Sequence, residues 1–324
     1  MARGRSPRFH PHSIRPITTL AGGVGAAKFL RGLVRVAGQP RQSVIVNTGD
    51  DEEFFGLHVS PDLDTIVYTL AGASNPATGW GLEGESFNVL GALGRFYGQT
   101  WFNLGDRDLA THLFRTERLR AGERLSQITA EIARLYGVRA HVMPMSDDRV
   151  RTFVKLRGRG AIPFQEYFVR RRFRGTVERI ELRGATRARP LGAALSAIRR
   201  SAAVIVAPSN PFVSIGPILA LSGMRDALRA ARAHVAAISP IVGGKAVKGP
   251  ADKMLRGLGH EASALGVARL YRDVCGVFVL DRVDRRATAA VEKLGLRAVV
   301  TDTVMADEAC SARLADVVLR ALEV

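Results

Sequence analysis

Seven short runs of contiguous apolar, mostly β-branched residues punctuate the chain, at 17–20, 43–46, 141–144, 202–207, 234–239, 276–281 and 298–301. Runs of this kind, with no polar residue at every second position, predict parallel strands covered on both faces. Between them the apolar residues recur with helical spacing: from Lys28 to Val36, across 90–96, across 125–136 with Gly137 as the stop, up to Leu258, and across 287–294. Strands alternating with helices predict an α/β fold, Rossmann-like, with a parallel sheet flanked by helices. From 151 to 199 the pattern changes. Alternating segments at 152–155, 167–169 and 177–180 predict the antiparallel strands of a smaller inserted subdomain. The organisation expected is a basic disordered tail (1–16), a core made of 17–150 and 200–324, and the insertion between its two parts.

The chemistry-bearing residues sit directly after the predicted strands, where open α/β sheets bind ligands. Gly22, Gly23 and Gly25 follow the first strand and lead through Lys28 into a helix, an arrangement that can turn backbone amides and a helix dipole toward an anion. Neither named motif fits. A Walker loop needs Ser or Thr after its lysine, where Phe29 stands, and a dinucleotide fingerprint wants a small residue in place of Lys28. The second strand ends at Asn47-Thr48-Gly49 and runs into Asp50, Asp51, Glu52 and Glu53, and Asp62 and Asp64 follow a Ser60-Pro61 turn. Asp64 reads as a helix N-cap, while carboxylates at a strand end also hold Mg²⁺ through one or two oxygens. Asp147-Asp148 repeat the acidic theme after the third strand. Ser209, Asn210 and Ser214 follow the fourth, and Gly243-Gly244 the fifth. Convergence of these loops predicts a phosphate-rich ligand site.

Composition narrows the class. With 324 residues, 47% of them hydrophobic, the chain can bury a large core, and no apolar run reaches the ~20 residues needed to span a bilayer. The first 16 residues lack the apolar centre of a secretory signal, and two cysteines make no disulfide framework, so the cytoplasm is the expected compartment. The net charge of +17 is local: the tail and residues 151–190 together carry thirteen of it. With 6% aromatic residues and no stacking platform, a basic face serving small phosphorylated molecules is the better reading than nucleic-acid binding.

Taken in order, AGGVGAAKFLRGL, VNTGDDEEFFGLHVSPDLDTIVYTLAG, GWGLEGESF, LGDRDLATHL, MPMSDDRVRT, APSNPFVSIGPILAL, SPIVGGKAVKGPADKML and LDRVDRR resemble the 2-phospho-L-lactate transferase family of coenzyme F420 biosynthesis, called CofD in archaea and FbiA in mycobacteria. The resemblance covers everything after the tail. It implies a Mg²⁺-dependent transferase, usually a homodimer. The donor is a GDP-linked phosphorylated three-carbon acid (lactyl, enolpyruvyl or glyceryl) made by a guanylyltransferase, and the acceptor is the ribityl hydroxyl of the deazaflavin Fo. The products are F420-0, or its dehydro form, and GMP.

On that resemblance Asp50 and Asp51 are the expected metal and acceptor ligands, followed by Asp62 and Asp64, with Asp50, Asp51 and Asp64 as the catalytic candidates. Gly22, Gly23, Gly25 and Lys28 are expected on phosphate. Ser209, Asn210, Ser214, Gly243 and Gly244 are expected on GDP. Asn47, Thr48, Trp80, Arg107 and Asp147 complete the substrate-binding set. Trp80, Phe54 and Phe55 are candidates to pack on the deazaflavin ring or in the core. The Glu83-Gly84-Glu85 stretch and Gly91-Ala92 depart from relatives, with Arg95 or Arg107 standing in for an acceptor-binding arginine. Competing readings are a nucleotide-sugar-binding regulator of the related gluconeogenesis-factor branch and a dehydrogenase.

Overall fold

The computed structural model describes residues 16–98 and 100–324; the tail expected over 1–16 lies, apart from Pro16, outside the described residues. Seven strands form one sheet in which every neighbouring pair is parallel: β1 (Ile17–Ala21), β2 (Gln42–Val46), β5 (His141–Pro144), β9 (Ala203–Val206), β10 (Val235–Ile238), β13 (Val277–Asp281) and β14 (Arg297–Thr301). Their order is β14-β13-β10-β9-β1-β2-β5. The chain starts in the middle, builds out to one edge and then returns to build the other. The reversal falls between β1 and β9, so the crevice at their carboxyl ends is the topological switch point where such sheets bind ligands.

The central strands are buried along their whole length, as their unbroken apolar runs require. Side-chain alternation divides them between two cores. Val44 and Val46 face one layer and Ile45 the other. The first layer holds α1 (Gly23–Ala37), α2 (Pro61–Leu70), α5 (Leu125–Leu135) and the C-terminal helix Glu308–Ala321. In α1, Phe29, Leu30 and Leu33 form the buried stripe. Gly32 lets this helix meet the C-terminal one: a Cβ there would come within 2.2 Å of the Ser311 backbone. The opposite layer holds helices 192–200, 224–230 and 264–271. Two further helices, α3 (Asn88–Tyr97) and α4 (Asp108–Arg120), follow α2 in the chain, and α4 packs against residues 57–59 and α5.

Several sequence expectations change. The acidic stretch 50–53 is not an open loop: β3 (Glu52–Phe54) and β4 (Leu57–Val59) form a hairpin whose turn places Phe55 and Gly56 at φ +53° and +75°. Two consecutive left-handed residues make the turn type that suits the twist of paired strands. The insertion is a three-stranded antiparallel sheet, β7 (Ala161–Pro163), β6 (Arg151–Leu156) and β8 (Val177–Arg183), in the order β7-β6-β8. The strand expected at 167–169 is instead a π-helical turn, Glu166–Arg170, closed by Arg171 N–H on the Glu166 carbonyl at 2.9 Å. Its aromatic residues pack a satellite core, Phe164, Tyr167 and Phe168 with Phe173, which overrides the strand-like alternation. The insertion also ends before 199. Ala194 and Ile198 of helix 192–200 belong to the main core. Among the described residues no helix is long and apolar enough to cross a membrane.

Candidate active site

A cavity of about 490 Å³ opens at the switch point, lined from the first strand–helix turn by Gly22, Gly23, Gly25 and Lys28 and from the loop after β9 by Pro208, Ser209, Asn210 and Ser214. Gly23 takes φ +69°, a conformation that favours glycine, and begins the helix. Gly25 is excluded from carrying a side chain because its Cβ would lie 2.3 Å from the Pro208 carbonyl oxygen. The two loops are tied together by the Ser209 hydroxyl, which donates to the Gly22 carbonyl at 2.8 Å.

α2 supplies the acids. Ser60 occupies the cap position, Pro61 starts the helix, and Asp64 N–H bonds back to the Ser60 carbonyl at 3.0 Å. Asp64 is therefore inside the first turn and is not the N-cap expected from sequence. Asp62 points into the cavity, accepting from Gly23 N–H at 2.8 Å and from Asn47 Nδ2 at 2.9 Å. Beside it Asp50 is buried and lines the same cavity, and its Oδ1 has no hydrogen-bond partner among the described residues. Burial pushes the Asp50 carboxyl well above its usual range, and the Asp62 charge adds to this, partly opposed by Thr152 and Asn47. Burial likewise raises Asp62 to about 6. The two carboxylates are thus held close together with no lysine or arginine bonded to either among the described residues.

Asp64 has the opposite surroundings. Arg115 of α4 grips it with both terminal nitrogens, one of them at 3.1 Å, and His112 Nδ1 lies 3.7 Å away. His112 Nε2 stands 3.5 Å from Asp108, which also accepts from the Tyr68 hydroxyl at 2.6 Å. Asp64, Asp108 and His112 bring ligand atoms within 4.8 Å of one another, the spacing of a metal triad. The double bond to Arg115 already occupies the Asp64 oxygens, and a cation there would face a buried guanidinium. A divalent metal fits Asp50 and Asp62 better, because an unpartnered buried oxygen and two uncompensated charges are what Mg²⁺ relieves.

The other sequence-predicted residues divide between lining and support. Trp80 lines the rim with 41% of its surface exposed. Asp51 does not line the cavity: it accepts from the Ser60 hydroxyl at 2.7 Å and faces His58 Nε2 at 3.1 Å. Asn47 and Thr48 are buried behind the wall, with Asn47 bracing Asp62. Arg107 is turned outward onto the Glu83 carbonyl and Asp147 onto Ser126, so neither reaches the cavity. Gly243 and Gly244, at φ +57° and +77°, form the turn between β11 (Ile241–Val242) and β12 (Lys245–Ala246), away from the lining. Their place on the cavity wall is taken by Lys248, Gly249 and Pro250. Phe54 and Phe55 pack with Phe102, Trp101 and Tyr97.

The residues that sequence reasoning passed over are Tyr68, His112 and Lys248. The Asp108–His112 spacing, one helical turn, was the available signal for His112. Lys248 carried none, being one lysine in a glycine-rich loop.

A second cavity of about 800 Å³ lies on the insertion, walled by Arg157, Arg159, Arg170, Arg171, Arg172 and Arg174. It contains no residue of the acidic site.

The sequence profile of the family described as 2-phospho-L-lactate transferase CofD matches residues 17–318. A phosphoenolpyruvate transferase of Kitasatospora aureofaciens is 43% identical over 313 residues, covering 95% of this chain and 98% of that protein. A 2-phospho-L-lactate transferase of Methanosarcina mazei is 36% identical over 301 residues, covering 93% and 98%. In architecture the chain is similar to a crystal structure of a UPF0052 family member from Bacillus halodurans, with TM-score 0.66, 14% identity, and 94% and 99% of the two chains covered. That likeness concerns the fold alone. The chain is a transferase and belongs to the CofD family of 2-phospho-L-lactate transferases.

Proposed function

We propose that this protein transfers a phosphorylated three-carbon acid from its GDP-linked form to the terminal ribityl hydroxyl of Fo, releasing GMP, with Mg²⁺ held by Asp50 and Asp62. The observation that carries this reading is the cavity at the switch point, which brings two carboxylates with no basic partner together with the glycine turn, Ser209 and two lysines. Phosphoryl-type transfer asks for positioning and charge neutralisation more than covalent chemistry, and this cavity offers both.

In this reading Lys28 and the Gly22–Gly25 turn, apart from the Gly23 N–H that Asp62 takes, hold the donor's phosphates, with Asn210 and Ser214 beside them. Bound Mg²⁺ would supply neutralisation of the charge that develops on the phosphoryl oxygens. Asp62 is kept in place by Gly23 and Asn47, and Asp51, anchored by His58 and Ser60, backs Asp50. Trp80 at the rim and Phe102 below it give the deazaflavin ring an apolar surface. Burial raises the Asp64 carboxyl above its usual range against the pull of Arg115 and His112, but both of its oxygens are held by Arg115, which makes it the worst placed of the acids to take a proton from the acceptor hydroxyl. The acid carried by the donor is enolpyruvyl in this reading, supported by the names of the relatives that reach 43% identity. A homodimer is part of it, with Phe96 and Tyr97 of α3, 83% and 60% exposed, as apolar surface for a second copy.

The test is a coupled turnover assay with Fo, Mg²⁺, GTP and a guanylyltransferase, offering phosphoenolpyruvate, 2-phospholactate or 3-phosphoglycerate in separate tubes. Mass spectrometry identifies the deazaflavin product. The reading expects product from phosphoenolpyruvate. No product in any tube, with the activated donors shown to form, removes it. Light scattering on the same sample checks the dimer.

A further inference from the structure

Two lysines face the same cavity from different parts of the chain. Lys28 stands on the second turn of α1 and Lys248 in the loop after β12, and both line the cavity. Lys28 Nζ donates to the Met305 carbonyl at 3.3 Å, and Lys248 Nζ donates to the Thr78 carbonyl at 2.7 Å. Neither has a carboxylate partner among the described residues. An ammonium has three donors, so each keeps donors for something else. Burial and the Lys28 charge both hold the Lys248 ammonium below the usual lysine range, which shows that the two cations feel one another. Two ammonium groups that line one cavity, neither of them bonded to the carboxylates across it, are relieved by an anion between them.

The partner of Lys248 adds a second consequence. Thr78 belongs to the loop that carries Trp80: its hydroxyl donates to the Trp80 carbonyl at 2.6 Å and accepts from Trp80 N–H at 3.3 Å. Gly79 and Gly81, at φ +76° and +70°, flank the tryptophan. The Lys248 ammonium therefore touches both the anion's place and the seat of the aromatic rim residue.

We infer that Lys28 and Lys248 form a clamp for the diphosphate of the donor, and that Lys248, bonded at once to the diphosphate and to Thr78, seats the Trp80 loop when the donor is bound. The clamp deepens the reading above and rests on it for the donor's identity. Its chemistry, two point charges on phosphate oxygens, stands on the two lysines themselves. Phosphate held here leaves the Asp50–Asp62 side for the metal, so the two poles of the cavity have separate tasks.

The experiment is a fluorescence titration of the full-length protein with pyrophosphate and with GDP. The chain has two tryptophans, and a Trp101→Phe background leaves Trp80 as the reporter. The clamp expects a saturable change in Trp80 emission with either probe. Lys248→Met weakens pyrophosphate at least about tenfold and abolishes the emission change. Lys28→Met, followed by calorimetry, weakens it similarly but keeps the emission change at saturation. Wild-type affinity in Lys248→Met overturns the clamp, as does a wild-type protein that binds neither probe. Competition by phosphoenolpyruvate with none by pyrophosphate overturns the assignment to the diphosphate. Clamp binding without turnover on Fo keeps this inference and removes the transferase reading. Turnover with an unchanged donor KM in Lys248→Met removes the clamp alone.

Discussion

Asp62 and Asp64 stand two residues apart on α2, each grouped with a second buried acid from elsewhere in the chain, Asp50 and Asp108, and the surroundings of the two groups are opposite. Asp64 and Asp108 are matched by Arg115, His112 and Tyr68, which meet their oxygens with hydrogen bonds or opposite charge. Asp50 and Asp62 have one orphaned oxygen between them, and burial raises the proton affinity of both, with the Asp62 charge adding to Asp50 and the Asp51 charge to Asp62. A protein gains nothing in stability from an uncompensated buried pair, because ionising it in a low-dielectric site is unfavourable. The compensated group is thus a structural buttress, and the uncompensated one is a place that awaits a cation. Residue type does not separate them, since both are aspartates lining one cavity. The neighbours do.

The largest expected effect breaks the buttress. Arg115→Met leaves Asp64 charged, buried and unpaired, and costs about 3–5 kcal/mol of folding stability. Urea denaturation measures it. The double variant Asp64→Leu/Arg115→Met recovers most of the loss, since removing both partners leaves no orphan. A double variant as unstable as the single one contradicts the buttress role. Next comes Asp50→Asn, which removes a metal ligand without removing any counter-charge. Turnover falls about 10²–10³-fold, while the urea midpoint stays level or rises. Loss of stability instead would place Asp50 with the structural acids.

These two variants touch what the sequence could and could not show. The parallel core was legible because 17–20, 43–46 and 202–207 are apolar without alternation, which only two-sided burial explains. Site residues adjacent to strand ends were legible for the same reason: topology carries them to one sheet edge. Asp50, Asp62, Ser209 and Asn210 all arrive there. What the sequence could not show was where side chains turn. Asp51 follows Asp50 directly, yet the hairpin it enters turns it to His58 and Ser60. Gly243-Gly244 read as a phosphate loop but is a hairpin turn. The π-helical turn at 166–170 was hidden because its apolar spacing serves a satellite core that is assembled only in three dimensions.

The uncompensated pair also has a pH signature. Asp62 is raised from 3.8 to about 6, so across that interval the folded state binds more protons than the unfolded one. Stability therefore falls as pH rises from about 4 to 6, by up to about 3 kcal/mol, and stays lower above it. Urea midpoints at pH 5 and 7.5 without divalent cations read the drop. Asp62→Asn shrinks it, leaving the fall of the same sign that the raised Asp50 carboxyl contributes, and added Mg²⁺ restores the stability missing at pH 7.5. A slope that neither the substitution nor Mg²⁺ alters assigns the titration elsewhere.

The smallest effect lies in the third charged region, which inverts the comparison: cations without acids. On the insertion, Arg171 bonds Glu166 and Arg157 bonds Glu178, but Arg170, Arg172 and Arg174 are exposed, with no side-chain partner among the described residues. Exposed charges are screened, so their uncompensated state costs little and cannot mark a site as strongly as the buried Asp50–Asp62 pair does. What remains to them is a long-range field, which attracts an anionic donor. Changing the three to Gln should raise the donor KM about 2- to 5-fold at low ionic strength and leave kcat alone, and the difference should vanish at about 0.5 M salt. A KM and assembly state that do not respond at any salt concentration would make the basic face a solvated surface, and burial would then be the whole difference between an uncompensated charge that works and one that is merely tolerated.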